Sequence, residues 1–274
     1  MTQGSFSIKI FHMKAGLGKY RIAFFDIDGT LLDLGKKEPS PRTVEALARL
    51  KESGVLLCIA TGRSPLVVPR FSGIDFDVFI TFNGSYCYDQ ASELFSNPVP
   101  AGDVRKIIEN AAAISRPVCI ATKDRLAANG TDRDLEDYFR IAGLDVNIDP
   151  DFSALLSQDI FQIMAGARET EYEALMKEVS GARITAWWDR AVDIIPACGD
   201  KGLAVRKVLE AYGISTEQSI AFGDGNNDIE MLESAGTGVA MANGSARLKA
   251  VADDVCASVS DDGIYHYCLE KDLI

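Results

Sequence analysis

From Tyr20 onward, short apolar runs alternate with amphipathic stretches along the chain. Ile22 to Phe25 is wholly apolar, the pattern of a strand covered on both faces. It stops at Asp26-Ile27-Asp28-Gly29-Thr30. Ser40-Pro41 then supplies a helix N-cap with proline at the first helical position. Val44, Leu47, Ala48 and Leu50 mark one face of that helix, and Gly54 ends it. Val55 to Ala60 is a second buried strand, stopping at Thr61-Gly62-Arg63, and Val78 to Ile80 a third, stopping near Asn83-Gly84. Apolar strands separated by helices predict an α/β fold of Rossmann-like type, a parallel sheet with helices on both faces.

The end of the chain repeats this grammar. Val205, Val208, Leu209 and Tyr212 have helical spacing. Ser219 to Gly223 predicts a strand ending in Asp224-Gly225-Asn226-Asn227-Asp228, and Gly238 to Met241 and Val255 to Ala257 predict two more. Ligands of open α/β sheets bind beyond the carboxyl ends of the strands, which would bring Asp26, Asp28, Thr61 and Asp224 together. The middle differs. It has strand-like pieces at Ser85 to Tyr88, Val118 to Ala121, Ile160 to Met164 and Ile184 to Trp188, and helical pieces at Asp103 to Ala113, Arg133 to Ala142 and Glu169 to Val179. No strand there ends in an acidic, glycine-containing loop. The expected organisation is a core of residues 20–84 and 192–274 split by an inserted α+β domain, 85–191. Residues 1–19 lack periodicity and are expected to be an extension, with Met13 as an alternative start.

Composition narrows the chemistry. The 274 residues carry 28 Lys plus Arg against 40 Asp plus Glu, a net charge of −12, which argues against nucleic acid or anionic membranes as partners. Only two histidines are present, so a histidine triad or a multi-histidine metal site has little to draw on. None of the six cysteines forms a C-x-x-C pair, and a reducing, cytoplasmic setting is the simplest expectation. No apolar run approaches the about 18 residues of a membrane span, and no signal-peptide pattern precedes Tyr20. Gly16-Leu17-Gly18-Lys19 lacks the spacing of a P-loop, and Gly236-Thr237-Gly238 lacks the third glycine of a dinucleotide site. The expected chemistry therefore rests on carboxylates.

Two carboxylates at i and i+2 directly after a buried strand, with a glycine next to them, suit a hard cation such as Mg²⁺. Such a cation would also relieve repulsion among Asp26, Asp28 and Asp224. An Asp-rich solvated turn is the commoner fate of any single D-x-D. Asp26-Ile27-Asp28-Gly29-Thr30, however, resembles the first motif of the haloacid dehalogenase superfamily of phosphotransferases. Ala60-Thr61-Gly62-Arg63, Gly199-Asp200-Lys201-Gly202 and Gly223-Asp224-Gly225-Asn226-Asn227-Asp228 resemble the second, third and fourth, in order. Phe82-Asn83-Gly84 and Val239-Ala240-Met241 fit the Cof-type subgroup, whose large cap lies between motifs two and three. Met241-Ala242-Asn243-Gly244 and Ser258-Val259-Ser260-Asp261-Asp262-Gly263 depart from the usual pattern outside the catalytic positions.

The resemblance implies a Mg²⁺-dependent phosphomonoesterase for a small soluble metabolite, such as a sugar phosphate. Asp26 would attack phosphorus and form an aspartyl-phosphate. Asp28 would protonate the leaving oxygen and then deprotonate the hydrolytic water. Asp26, the Asp28 carbonyl and Asp224 would hold the metal. Ile27, Thr61, Gly62, Lys201 and Asn227 would bind the phosphoryl group, and Asp228 would orient Lys201 or a water. A monomer is expected, with a weak dimer as the alternative.

Singly, these residues have blander readings. Thr61 suits a helix N-cap, Lys201 a solvated surface charge, and Asn227 the cap of the helix that follows it. Joint order and spacing outweigh these. Trp187-Trp188 fits strand packing better than a substrate wall, and the polar stretch with Arg125 and Asn129 fits a solvated loop. A sugar phosphomutase with the same nucleophile and a non-catalytic phosphometabolite sensor are the alternative functions.

Overall fold

A computed structural model describes residues 18–141, 143–186 and 188–274. Most of the expected extension, the Met13 start and Trp187 lie outside the described residues. The chain first runs β1 (Ile22–Phe25), α1 (Pro41–Glu52), β2 (Leu56–Ala60), β3 (Val78–Thr81), β4 (Tyr86–Asp89) and β5 (Glu93–Ser96). Then follow α2 (Ala101–Ala113), β6 (Val118–Ala121), β7 (Leu126–Ala128), α3 (Arg133–Ile141), α4 (Phe152–Leu155), β8 (Gln162–Ala165), α5 (Tyr172–Leu175), β9 (Ala182–Thr185) and β10 (Val192–Pro196). The last stretch is α6 (Lys201–Tyr212), β11 (Ser219–Gly223), α7 (Ile229–Ser234), β12 (Gly238–Met241), α8 (Ala246–Val251), β13 (Asp254–Cys256) and α9 (Gly263–Glu270).

Eight strands form one sheet in the order β13-β12-β11-β1-β2-β3-β4-β5. The six from β13 to β3 are parallel, and β4 turns back antiparallel on β3. One face, including Ile22, Phe24, Cys58 and Ile80, packs on Val205, Val208 and Leu209 of α6 and Met231 and Leu232 of α7. On the other, Phe25 stacks on Phe222, which meets Tyr267 of α9 edge-on. The predicted parallel sheet with helices on both faces is thus present. Its register explains why motifs far apart in sequence meet. Phe25 lies opposite Phe222 and Ile59, so the chain leaves β1, β11 and β2 at the same edge, at Asp26, Asp224 and Thr61.

The second sheet is antiparallel, in the order β7-β6-β8-β10-β9. Its own core contains Val104, Ile107, Val118, Ile120, Ile163, Leu175, Val192 and Ile194. The compact units divide accordingly: the first includes Pro69–Phe95 and Asp200–Ile274 as well as the chain up to Gly62, and the second Arg63–Val68 and Ser96–Gly199. Three elements fall on the other side of the boundaries expected at 84/85 and 191/192: β4, β5 and β10. β4 belongs to the eight-stranded sheet because the turn at Phe82–Gly84 folds it straight back on β3. β10 is wholly buried like the parallel strands and apolar but for Asp193, yet it pairs with β8 and β9.

The predicted helix over Glu169 to Val179 is broken into a 3-10 turn, Glu169–Glu171, and the short α5. Asn110 Nδ2, from α2, donates to the carbonyls of Leu175 (3.0 Å) and Lys177 (2.8 Å), and Glu178 turns left-handed at φ +59°. A buried side chain from another element thus takes the acceptors that a longer helix would use.

Candidate active site

At the end of β1 the Ile27 carbonyl accepts from the amides of Leu31 (3.0 Å) and Leu32 (2.8 Å), which winds residues 26–32 into a tight loop. Gly29 sits at φ +89°, and a Cβ there would lie 2.1 Å from Asp224 Oδ2. Backbone conformation and close approach both demand glycine. Thr30 Oγ1 donates to Asp224 Oδ1 at 3.0 Å, and Asn243 Nδ2 donates to the Gly29 carbonyl at 2.8 Å. The first and fourth motifs are thus bonded to each other directly.

Lys201 is the first residue of α6. Asp200 caps that helix, its Oδ1 accepting from the Leu203 amide at 2.6 Å, which points the Lys201 side chain back toward the sheet edge. Lys201 is fully buried and donates to Asp26 Oδ1 and Asp228 Oδ1, both at 2.6 Å. The solvated-charge reading of Lys201 is therefore excluded. Asp228 Oδ2 accepts from the amides of Asp224 (3.0 Å) and Gly225 (2.9 Å). Both Asp228 oxygens are engaged by protein donors. By contrast, Asp26 Oδ2 and Asp224 Oδ2 accept no hydrogen bond from the described residues.

Carboxylate oxygens of Asp26, Asp224 and Asp228 lie within 4.8 Å of one another. Burial pushes the Asp26 carboxyl up to about 8, against the pull of the Lys201 ammonium and helped by the neighbouring carboxylates Asp228 and Asp224. Asp224 is pushed up to about 6 by burial and Asp228, with Asp28 adding to the repulsion and Thr30 and Lys201 opposing it. Desolvation works against the Lys201 ammonium, but its two carboxylate partners win and hold it above the usual lysine range. The cluster thus carries more acid than one lysine balances. A hard divalent cation fits this donor set, because two oxygens are unspent and crowding favours whatever neutralises it.

Asp28 projects to the exposed side of the loop, close enough to Asp224 to repel it. Thr61 is buried at the end of β2; its amide donates to the Ile80 carbonyl at 2.9 Å and its carbonyl accepts from the Asn83 amide at 3.0 Å. The N-cap of the 3-10 turn that follows is Ser64, so Thr61 is not a helix cap. The Ile27 and Gly62 amides donate to no acceptor among the described residues. Asn227 is exposed, and its Nδ2 donates to Asn83 Oδ1 at 3.1 Å rather than capping a helix. In the antiparallel unit, Trp188 stacks on Tyr138 with Arg190 over its ring, Arg125 pairs with Asp149, and Asn129 Oδ1 accepts from the Val118 amide.

Thr30, Asn83 and Asn243 escaped the sequence reading as site residues. Thr30 lies within the first motif, and Asn83-Gly84 is a left-handed-turn dipeptide, but their partners are 194 and 144 residues away along the chain. Nothing local announces such contacts.

Comparison with known proteins agrees with this geometry. The haloacid dehalogenase-like hydrolase family matches residues 23–268. YkrA of Bacillus subtilis (strain 168) is 32% identical over 259 residues, covering 93% of this chain and 98% of YkrA. The pyridoxal phosphate phosphatase YbhA of Escherichia coli (strain K12) is 32% identical over 271 residues, covering 90% of this chain and 97% of YbhA. The solved structure of BT4131, a sugar phosphatase of haloacid dehalogenase subclass IIB, superposes with a TM-score of 0.81 at 25% identity, covering 93% of this chain and all of that one. With the four loops meeting at one sheet edge and the match running through nearly the whole core and insert, the chain belongs to the haloacid dehalogenase-like hydrolases.

Proposed function

We propose that this hydrolase is a Mg²⁺-dependent phosphomonoesterase acting on small phosphorylated metabolites, sugar phosphates and pyridoxal phosphate being the first candidates. One observation carries the reading. Asp26 has one oxygen held by the buried Lys201 and the other unspent, beside two backbone amides that bond nothing in the described protein. That is an anchored nucleophile next to an anion cradle. YbhA and BT4131 supply the substrate classes.

In the proposed reaction, a carboxylate oxygen of Asp26 attacks phosphorus and the ester P–O bond breaks, leaving an aspartyl-phosphate. The Asp28 carboxyl gives its proton to the departing oxygen. Water then attacks the same phosphorus while Asp28 takes its proton, which frees Asp26 and inorganic phosphate. Thr61, Lys201, Asn227 and the Ile27 and Gly62 amides hold the phosphoryl oxygens. Asp26, Asp224 and the Asp28 carbonyl would hold Mg²⁺, which when bound neutralises phosphoryl charge so that a carboxylate can approach an anion. Asp228, with all its bonds spent on Lys201 and the fourth-motif backbone, fixes the lysine. In this reading the antiparallel unit is the cap that selects the ester, and six free cysteines fit a reducing cytoplasm.

The test is phosphate release from hexose phosphates and pyridoxal 5′-phosphate, with Mg²⁺ and without a bisphosphate activator. Turnover is expected in the wild type and should fall by roughly a thousandfold or more in Asp26→Asn. Undiminished turnover in Asp26→Asn would overturn the mechanism, and dependence on a bisphosphate would identify a mutase.

A further inference from the structure

We infer that Asn83 is a positioning residue: its side-chain amide holds Asn227 and the Gly62 backbone in register, so that phosphate-binding groups from two separate loops act as one cradle. The inference rests on the phosphatase reading above for the roles of Gly62 and Asn227.

The turn after β3 has an unusual backbone. Phe82, Asn83 and Gly84 occupy positive φ in succession, at +51°, +53° and +98°. A bulky phenylalanine there is a steric outlier, and such strain persists only where the surroundings overdetermine it. The surroundings here are the site loops. The Asn83 amide donates to the Thr61 carbonyl at 3.0 Å, which ties the turn to the second motif. Gly84 lies against the start of α6, where a Cβ would be 2.1 Å from the Asp200 carbonyl oxygen and 2.9 Å from the Lys201 amide nitrogen, which ties it to the third.

Between these anchors the Asn83 side chain faces two partners. Asn83 Oδ1 accepts from Asn227 Nδ2 at 3.1 Å. A Cβ on Gly62 would lie 3.0 Å from both Oδ1 and Nδ2 of Asn83, so the carboxamide rests on the Gly62 backbone. The Gly62 amide is one of the two unspent donors, and Asn227 is otherwise an exposed side chain on a 3-10 turn. An exposed asparagine free to rotate would sacrifice conformational entropy on each binding event. The Asn83 contact spends that entropy during folding instead.

The experiment is a double-mutant cycle on kcat/KM for a hydrolysed ester, using Asn83→Gly, Asn227→Ala and both together, with thermal unfolding of each variant. Glycine accepts φ +53° without strain, so Asn83→Gly removes the amide and leaves the turn. Each single variant should lose about five- to tenfold, the size of one hydrogen bond. The double variant should lose no more than the worse single, and the unfolding midpoint of Asn83→Gly should stay within a few degrees of wild type. Full activity in Asn83→Gly, losses in the double variant that multiply those of the two singles, to about twenty-fivefold or more, or a collapsed unfolding midpoint would each overturn the positioning role while leaving the phosphatase reading intact. A wild type without turnover on any phosphate ester would overturn both.

Discussion

Lys201 shows most directly how one residue governs the site. Its ammonium is fully buried and shared by two carboxylates at 2.6 Å each. Removing one partner of a buried ionic group leaves the others uncompensated in low dielectric. Lys201→Met should therefore cost about 3–5 kcal/mol of stability and reduce phosphate release by roughly a thousandfold, measured by urea unfolding and turnover on the same preparation. A variant that kept full stability would show that Asp26 and Asp228 tolerate each other without the lysine. At this scale much was legible in the sequence. Asp26, Asp28 and Asp224 stood out as acids beside glycines after apolar runs, and Thr61, Lys201 and Asp228 through their place in the family's motif order. Thr30, Asn83 and Asn243 did not, because each does its work through one long-range hydrogen bond.

Among the elements, strands of the parallel sheet were legible from unbroken apolar runs, α1 from its cap and helical spacing, and α6 from its spacing alone. β5 and β7 were not: Glu93–Ser96 mixes polar and apolar positions, and Leu126–Ala128 is a three-residue run inside a polar stretch. β10 illustrates a different limit. Its apolar run hides a buried acid, Asp193, which accepts from Tyr138 Oη at 2.7 Å. Burial pushes the Asp193 carboxyl up, against the hydrogen bonds from Tyr138 and Gln162. A carboxyl raised in the folded state binds its proton more tightly there than in the unfolded chain. Folding therefore loses stability as pH climbs above the unfolded carboxyl value of about 3.9 and recovers it on acidification. Asn in its place keeps an acceptor for Tyr138 and removes the buried charge. Asp193→Asn should raise the unfolding midpoint by about 2–4 °C at pH 7 to 8, with the gain shrinking to nothing near pH 4. A gain that grew toward acid would contradict the assigned direction.

For the molecule as a whole, the charge of −12 says little about function, because it is spread over the chain. What matters is that Asp26, Asp224 and Asp228 converge on one point with Lys201 beside them. A cation bound there stabilises the folded state only, since the unfolded chain scatters those carboxylates over about two hundred residues. Saturating Mg²⁺ should raise stability by about 2.7 kcal/mol at a hundred times its Kd, a chelator should reverse the shift, and Asp224→Asn should abolish it. Calorimetric scans with and without Mg²⁺ check this; an equal shift in Asp224→Asn would place the cation elsewhere. Among the described residues, no helix is long and apolar enough to cross a membrane.

By itself the sequence determined the periodicities, caps and glycines, and so the parallel sheet, its helices and the loops bearing the acids. These are local properties, written in windows of a few residues. It also determined which acids share a motif order with the haloacid dehalogenase family. Only the tertiary structure decided that Asp228 spends its oxygens on Lys201 and the backbone while Asp26 and Asp224 keep one each. Only it decided that β4 joins the large sheet and β10 the small one. Those outcomes depend on strand register and on contacts across the fold. An apolar run carries no record of which neighbour it pairs with, nor a carboxylate of which donor reaches it first.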